Sequence, residues 1–158
     1  MISIYTDGSS LGNPGPGGYG IVLLSGNLRK ELSEGFRLTT NNRMELLGVV
    51  IALEALKKDA ATVTVYSDSK YVVDAVEKNW VFAWEKKNFK EKKNPDLWKR
   101  FLNIYRKHHV KLVWVKGHAT NEENNQCDKL AVAAAHGYNL NIDIGYEAEL
   151  KKQNPKLL

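Results

Sequence analysis

One long helix divides the strand-forming segments of this chain into two sets, and that division limits its fold more than any other feature. Between Asn41 and Lys58 the apolar residues Leu46, Val49, Val50, Leu53 and Leu56 recur at the 3.6-residue helical period. Thr40 or Asn41 can cap the first turn. Before the helix lie three strand segments: Ile2 to Asp7, Tyr19 to Leu24 and Leu28 to Leu38. Ser25-Gly26-Asn27 is a turn that lets the second and third pair antiparallel. Gly8 to Gly18 holds five of the twelve glycines and two of the four prolines, which predicts a loop. After the helix, strands are joined through helices. Thr62 to Ser67 and Lys111 to Lys116 are strands. Helices are expected from Ser69 to about Glu77, from Pro95 to about His108, and from Asn121 or Asn124 to His136, with Gly137 just past the C-cap. The expected fold class is α/β: a five-stranded mixed sheet flanked by helices, with strands 1–3 antiparallel and strands 4 and 5 parallel to strand 1.

A chain of 158 residues fits one domain, expected over residues 1–149 with a flexible tail over 150–158. The lone Cys127 cannot form an internal disulfide or a zinc cluster, which suits a reducing compartment. The N-terminus has no signal-peptide pattern, and no run approaches the roughly 18 apolar residues of a membrane span. A cytoplasmic monomer with no membrane partner is expected. The formal net charge is +5, and it is unevenly spread. Residues 79–100 carry Lys86, Lys87, Lys90, Lys92, Lys93, Lys99 and Arg100 against Glu85, Glu91 and Asp96, interleaved with Trp80, Phe82, Trp84, Phe89 and Trp98. This reads as a basic protrusion suited to a polyanion, or as a solvated helical hairpin anchored by its tryptophans.

Two strand ends repeat one pattern. Ile4-Tyr5-Thr6-Asp7-Gly8-Ser9 and Val65-Tyr66-Ser67-Asp68-Ser69-Lys70 each run apolar-Tyr-hydroxyl-Asp. If the strands are parallel neighbours, Asp7 and Asp68 emerge side by side and repel unless a cation lies between them. Carboxyl ends of parallel strands are also where open α/β sheets bind ligands. An Asp at a strand end serves equally as a turn or N-cap residue, so both readings stand on the residues alone. Glu45 and Asp128 sit near the starts of helices, where an acid complements the dipole. Ala131, Ala134 and Ala135 would let the last helix pack closely and bring Asp128 over the strand ends. The glycine-rich stretch lacks the Gly-Lys-Ser/Thr ending of a phosphate-binding loop.

Six blocks then stand in a telling order: Tyr5-Thr6-Asp7-Gly8-Ser9, Leu11 to Tyr19, Thr40-Asn41-Asn42-Arg43-Met44-Glu45, Asp68-Ser69, Trp114-Val115-Lys116-Gly117-His118 and Asn125-Gln126-Cys127-Asp128. From about Ile2 to Glu149 the chain resembles the bacterial ribonuclease HI family. That resemblance implies an RNase H-like fold and hydrolysis of the RNA strand of an RNA–DNA hybrid, leaving 5′-phosphate and 3′-hydroxyl ends. It implies Asp7, Glu45, Asp68 and Asp128 as ligands of two Mg²⁺ or Mn²⁺ ions, with His118 as the catalytic histidine. Hard oxygen ligands suit those ions, and a metal pair can stabilise both the attacking and the leaving oxygen. It also implies Asn13, Asn42 and Ser69 along the RNA strand, where polar groups can meet a 2′-hydroxyl, and Thr40 and Arg43 near the DNA strand. Trp80, Trp84, Lys86 and Lys87 of the protrusion would meet the DNA backbone. The protrusion is shorter than in the fully elaborated bacterial form. Ser10 stands where Cys is common and Lys70 where Gln is common. A resolvase or transposase core, a non-catalytic hybrid binder and a domain of a reverse transcriptase are the competing readings. The start at Met1, directly before the first strand, favours a free-standing protein.

Overall fold

The computed structural model describes residues 1–117 and 121–156. Its elements are β1 (Ile2–Ser10), β2 (Gly15–Ser25), β3 (Leu28–Thr39), α1 (Asn41–Glu54), β4 (Thr62–Ser67), α2 (Lys70–Glu77), α3 (Trp80–Lys86), α4 (Pro95–Tyr105), β5 (His109–Trp114), α5 (Glu122–Ala135) and α6 (Ile144–Gln153). The strands form one sheet in the order β3-β2-β1-β4-β5. β2 pairs antiparallel with β1 and β3, while β4 is parallel to β1 and β5 to β4. This is the mixed five-stranded sheet that the order of segments predicts. No helix among the described residues is long and apolar enough to cross a membrane.

The two sheet faces are packed differently. Ile4, Ile21, Val63 and Val65 are buried with Leu46, Val50 and Leu53 of α1 and with Trp98 and Phe101 of α4. α1 is enclosed: every residue from Arg43 to Val50 is buried, more than the five-residue stripe read from the sequence. The helix stops at Glu54 rather than Lys58, where the amides of Ala55 and Leu56 close onto the carbonyls of Ile51 and Leu53. Thr40 is the cap, its side chain accepting from the Arg43 amide at 3.2 Å.

The expected loop over Gly8 to Gly18 is a correction. β1 continues to Ser10 and β2 begins at Gly15, so residues 11–14 alone connect them. Gly8, Gly15, Gly17 and Gly18 lie in strands, and Gly18, with Gly20 and Gly35 beyond the expected loop, faces α5, which rests almost directly on the sheet. A Cβ at Gly18 would lie 2.6 Å from the Ala131 carbonyl oxygen; one at Gly20 would strike that of Cys127, and one at Gly35 that of Ala134. Glycine within a strand often marks such an approach of another backbone. On the helix side, Ala131 and Ala135 are buried at the same contact.

A charge cluster around the buried Arg43 and Asp143 ties the C-terminal segment to the body. Arg43 donates to Asp143 through Nε and Nη2, both at 2.8 Å, and to Asp96 through Nη1 at 2.9 Å and Nη2 at 2.8 Å. Asp143 also accepts from the Thr39 hydroxyl at 2.6 Å and caps α6. That helix continues beyond Glu149 to Gln153. Removing one partner of a buried pair leaves the other charge stranded. Asp143→Ala should therefore cost about 3 kcal/mol in urea denaturation, whereas Thr39→Val, which drops one hydrogen bond, should cost about 1 kcal/mol. Equal small effects would mean that Asp96 alone satisfies Arg43.

Candidate active site

Register places the two aspartates together. Tyr5 is paired with Tyr66 and Thr6 with Ser67, and the tyrosine rings stack with centroids 4.7 Å apart and planes at 15°. The next residues are Asp7, still within β1, and Asp68, directly after β4. Ser69, not Asp68, caps α2, accepting from the Val72 amide at 3.3 Å, so Asp68 has no capping duty. Glu45 is the fifth residue of α1, past the first turn, and therefore does not serve the helix dipole as expected from sequence. It turns instead toward β1. The Gly8 amide donates to Asp7 Oδ1 at 2.9 Å and to Glu45 Oε1. A Cβ on Gly8 would strike the α1 backbone at Met44 and Glu45, so this glycine is what lets the helix bring Glu45 to the strand.

Carboxylate oxygens of Asp7, Glu45 and Asp68 lie within 4.8 Å of one another. Asp7 and Glu45 are only 5% and 6% exposed. Burial, then the Asp68 charge, pushes the Asp7 carboxyl up to about 8, and Asp128 adds to the rise. Burial, then Asp7 and Asp68, pushes Glu45 well above the usual carboxylate range. Asp128 lies midway along α5, half-buried, outside the trio but within electrostatic reach of Asp7. The donor set is all oxygen, which fits a hard divalent cation. The nearby Cys127 thiol is no competitor: it is buried, bonds the Tyr5 carbonyl at 3.2 Å, and is pushed up first by burial and then by Asp7. Acids so crowded and dry are characteristic of a functional site.

The other expected residues separate into groups. Asn42 is exposed on the first turn of α1, and Asn13 is exposed beside it, its Oδ1 accepting from the Asn41 amide at 3.2 Å. Thr40 and Ser69 are the caps already described. Arg43, expected near a DNA strand, is 3% exposed with its guanidinium taken by Asp143 and Asp96. It supports the first turn of α1 from behind. Lys86 and Lys87 are exposed at the end of α3. Trp80 is 46% exposed with Lys78 Nζ 5.2 Å from its ring centroid, while Trp84 leans edge-on against the buried Trp98. His118 lies outside the described residues. Sequence reasoning passed over Gly8 and Trp114 as site residues. The Trp114 indole N–H donates to the Asp68 carbonyl at 3.1 Å, and Lys70 Nζ stands 4.8 Å from its ring centroid. The signal was the position of Trp114 at the end of a strand that ends beside Asp68.

The raised carboxyls imply a sign for pH dependence. A carboxyl group whose folded pKa exceeds its unfolded value keeps its proton in the native state while the unfolded chain has released it, so stability falls as pH rises between the two values. Without divalent ions, the melting temperature should fall between about pH 4 and pH 8. Asp7→Asn should flatten that fall and raise the melting temperature at pH 8. A wild-type chain whose stability does not decline over this window would contradict the crowding of Asp7 and Glu45.

Comparison with known proteins agrees with this geometry. The RNase H family model matches residues 1–136. The chain is 55% identical over 151 residues to a ribonuclease H of Syntrophus aciditrophicus (strain SB), covering 92% of this chain and 87% of that one. Among solved structures, LC9-RNase H1, a type 1 RNase H with the type 2 active-site motif, superposes with a TM-score of 0.78 at 33% identity, covering 98% of this chain and 82% of that one. LC11-RNase H1, solved in complex with an RNA/DNA hybrid, superposes with a TM-score of 0.66 at 27% identity, covering 85% and 96%. The matched residues span both strand ends, α1 and α5, and the chain belongs to the RNase H family.

Proposed function

We propose that this protein is a cytoplasmic, monomeric endoribonuclease that hydrolyses the RNA strand of RNA–DNA hybrids, leaving 5′-phosphate and 3′-hydroxyl ends. The observation that carries the reading is the trio Asp7, Glu45 and Asp68 at the carboxyl ends of β1 and β4, with Asp128 beside it. These four acids would hold two Mg²⁺ or Mn²⁺ ions. Bound metal would supply an activated water for attack and stabilise charge on the departing 3′ oxygen. The chain supplies the rest. The Gly8 amide orients Asp7 and Glu45 together. Asn13, Asn42 and Ser69 read the RNA strand, where a 2′-hydroxyl distinguishes RNA from DNA. Thr40 meets a DNA phosphate. His118 moves a proton to assist leaving-group or product release, a task suited to a histidine near neutrality.

The basic segment holds the duplex. Glu85 is paired with Arg106 and Asp96 with Arg43, so its acids are largely neutralised by partners outside it. The exposed Lys86 and Lys87 contact phosphates, and the exposed ring of Trp80 and the partly exposed Trp84 pack on sugars.

Four duplexes of one sequence, RNA–DNA, DNA–DNA, RNA–RNA and a hybrid with 2′-O-methyl RNA, test the reading with Mg²⁺ and with EDTA. Cleavage should be confined to the RNA of the unmodified hybrid and vanish in EDTA. Cleavage of plain DNA would overturn the substrate class in favour of a resolvase or transposase. Asp7→Asn and Asp68→Asn should reduce cleavage to background while the fold persists, and His118→Ala should slow turnover about 10²-fold. The double change Lys86→Ala and Lys87→Ala should lower the slope of log affinity against log salt by about 1.8. An unchanged slope would remove those lysines from the interface.

A further inference from the structure

The end of β5 and the residues after it meet Asp68 at its backbone and at its carboxylate. The Trp114 indole N–H donates to the Asp68 carbonyl at 3.1 Å, and the Val115 amide donates to the Ser67 carbonyl at 2.9 Å. Gly117 then lies against the carboxylate: a Cβ there would sit 2.7 Å from Asp68 Oδ2 and 3.6 Å from Asp68 Cγ. Gly117 is not needed for its backbone conformation, since the positive-φ glycines among the described residues are Gly12 and Gly26. A side chain there would compete with the Asp68 carboxylate for the same space.

We infer that Trp114 and Gly117 are positioning residues for Asp68, the first fixing its backbone and the second leaving room for its carboxylate to face Asp7 and Glu45. A Cβ at residue 117 would crowd only the far end of the Asp68 side chain, with Asp68 Cβ and Cγ at ordinary contact distance, so a methyl group there turns that carboxylate rather than moving the Asp68 backbone. Oδ2 then rotates away from a trio whose oxygens otherwise lie within 4.8 Å of one another. The inference rests on the metal-binding reading above. It assigns Gly117 a role separate from any freedom it lends to His118.

Mn²⁺ titration calorimetry on the full chain, with melting temperatures for each variant, tests it. Gly117→Ala should weaken Mn²⁺ binding about tenfold, the scale of losses when the support of a metal ligand is removed, with little change in melting temperature. The loss should persist in a His118→Ala background. Trp114→Phe keeps a ring but drops the N–H, and should weaken Mn²⁺ as well. In turnover assays, Gly117→Ala should raise the Mn²⁺ concentration for half-maximal rate while sparing the rate at saturation. Wild-type affinity in Gly117→Ala, or a loss that disappears in the His118→Ala background, overturns the positioning role. So does a loss that merely follows global destabilisation and is absent in Trp114→Phe. Asp68→Asn separates the two layers: undiminished Mn²⁺ binding by that variant overturns the metal reading, whereas weak binding by Asp68→Asn with normal binding by Gly117→Ala overturns only the positioning role.

Discussion

Parallel pairing of β1 with β4, in the register that sets Tyr5 against Tyr66, is the contact on which the site depends. A slip of one residue would send one aspartate to the opposite face, because side chains alternate along a strand. The stacked tyrosines and the buried Ile4 and Val65, paired across the same two strands, hold the register from both faces. The register then forces like charges together. Asp7 and Glu45 are buried where ionisation is unfavourable, and the apolar packing of α1 against the sheet offsets that cost.

Close backbone approach is the second constraint, and it operates on both faces. Gly8 lets α1 descend until Glu45 reaches the strand, while Gly18 and Gly20 let α5 lie flat enough to hold Asp128 near Asp7. Two helices reach one strand end from opposite sides only because that part of the sheet lacks side chains where they touch it. The glycines thus set distances between acids that are far apart in sequence.

Much of this was legible beforehand. The mixed five-stranded sheet followed from three strand segments before the long helix and helix-linked strands after it, and the repeated Tyr-hydroxyl-Asp pattern marked two strand ends before any pairing was known. The glycine-rich stretch was misread as a loop because glycine signals either a turn or a close approach, and a single sequence does not say which. What lies across the gap is a residue more than a hundred positions away, Cys127 against Gly20 or Ala131 against Gly18. Arg43 was equally opaque. A cation in a helix's first turn, next to exposed Asn42, looks like a ligand contact; its burial depends on Asp143, a hundred residues downstream, folding back along β3. The helix start at Asn41 was read correctly, but Glu45 is the fifth residue of α1, one past the first turn, where a carboxylate no longer serves the dipole.

The electrostatic design has to meet two opposed demands. Clustered acids attract cations but repel a nucleic acid, so under the proposed function the duplex has to be held by charge placed elsewhere. Residues 79–100 are the candidate for that charge, and their basicity is sharpened by ion pairing with the body. Arg106 neutralises Glu85, Arg43 neutralises Asp96, and Arg100 is itself neutralised by Glu54. Among the charges of that segment, the lysines are left against Glu91 alone. Arg43 therefore contributes without an exposed face. Its bonds to Asp143 anchor the C-terminal segment, and its two bonds to Asp96 neutralise an acid of the basic segment. In the proposed function the acidic trio and the lysines of residues 79–100 then act on one substrate, the first through metal ions and the second directly.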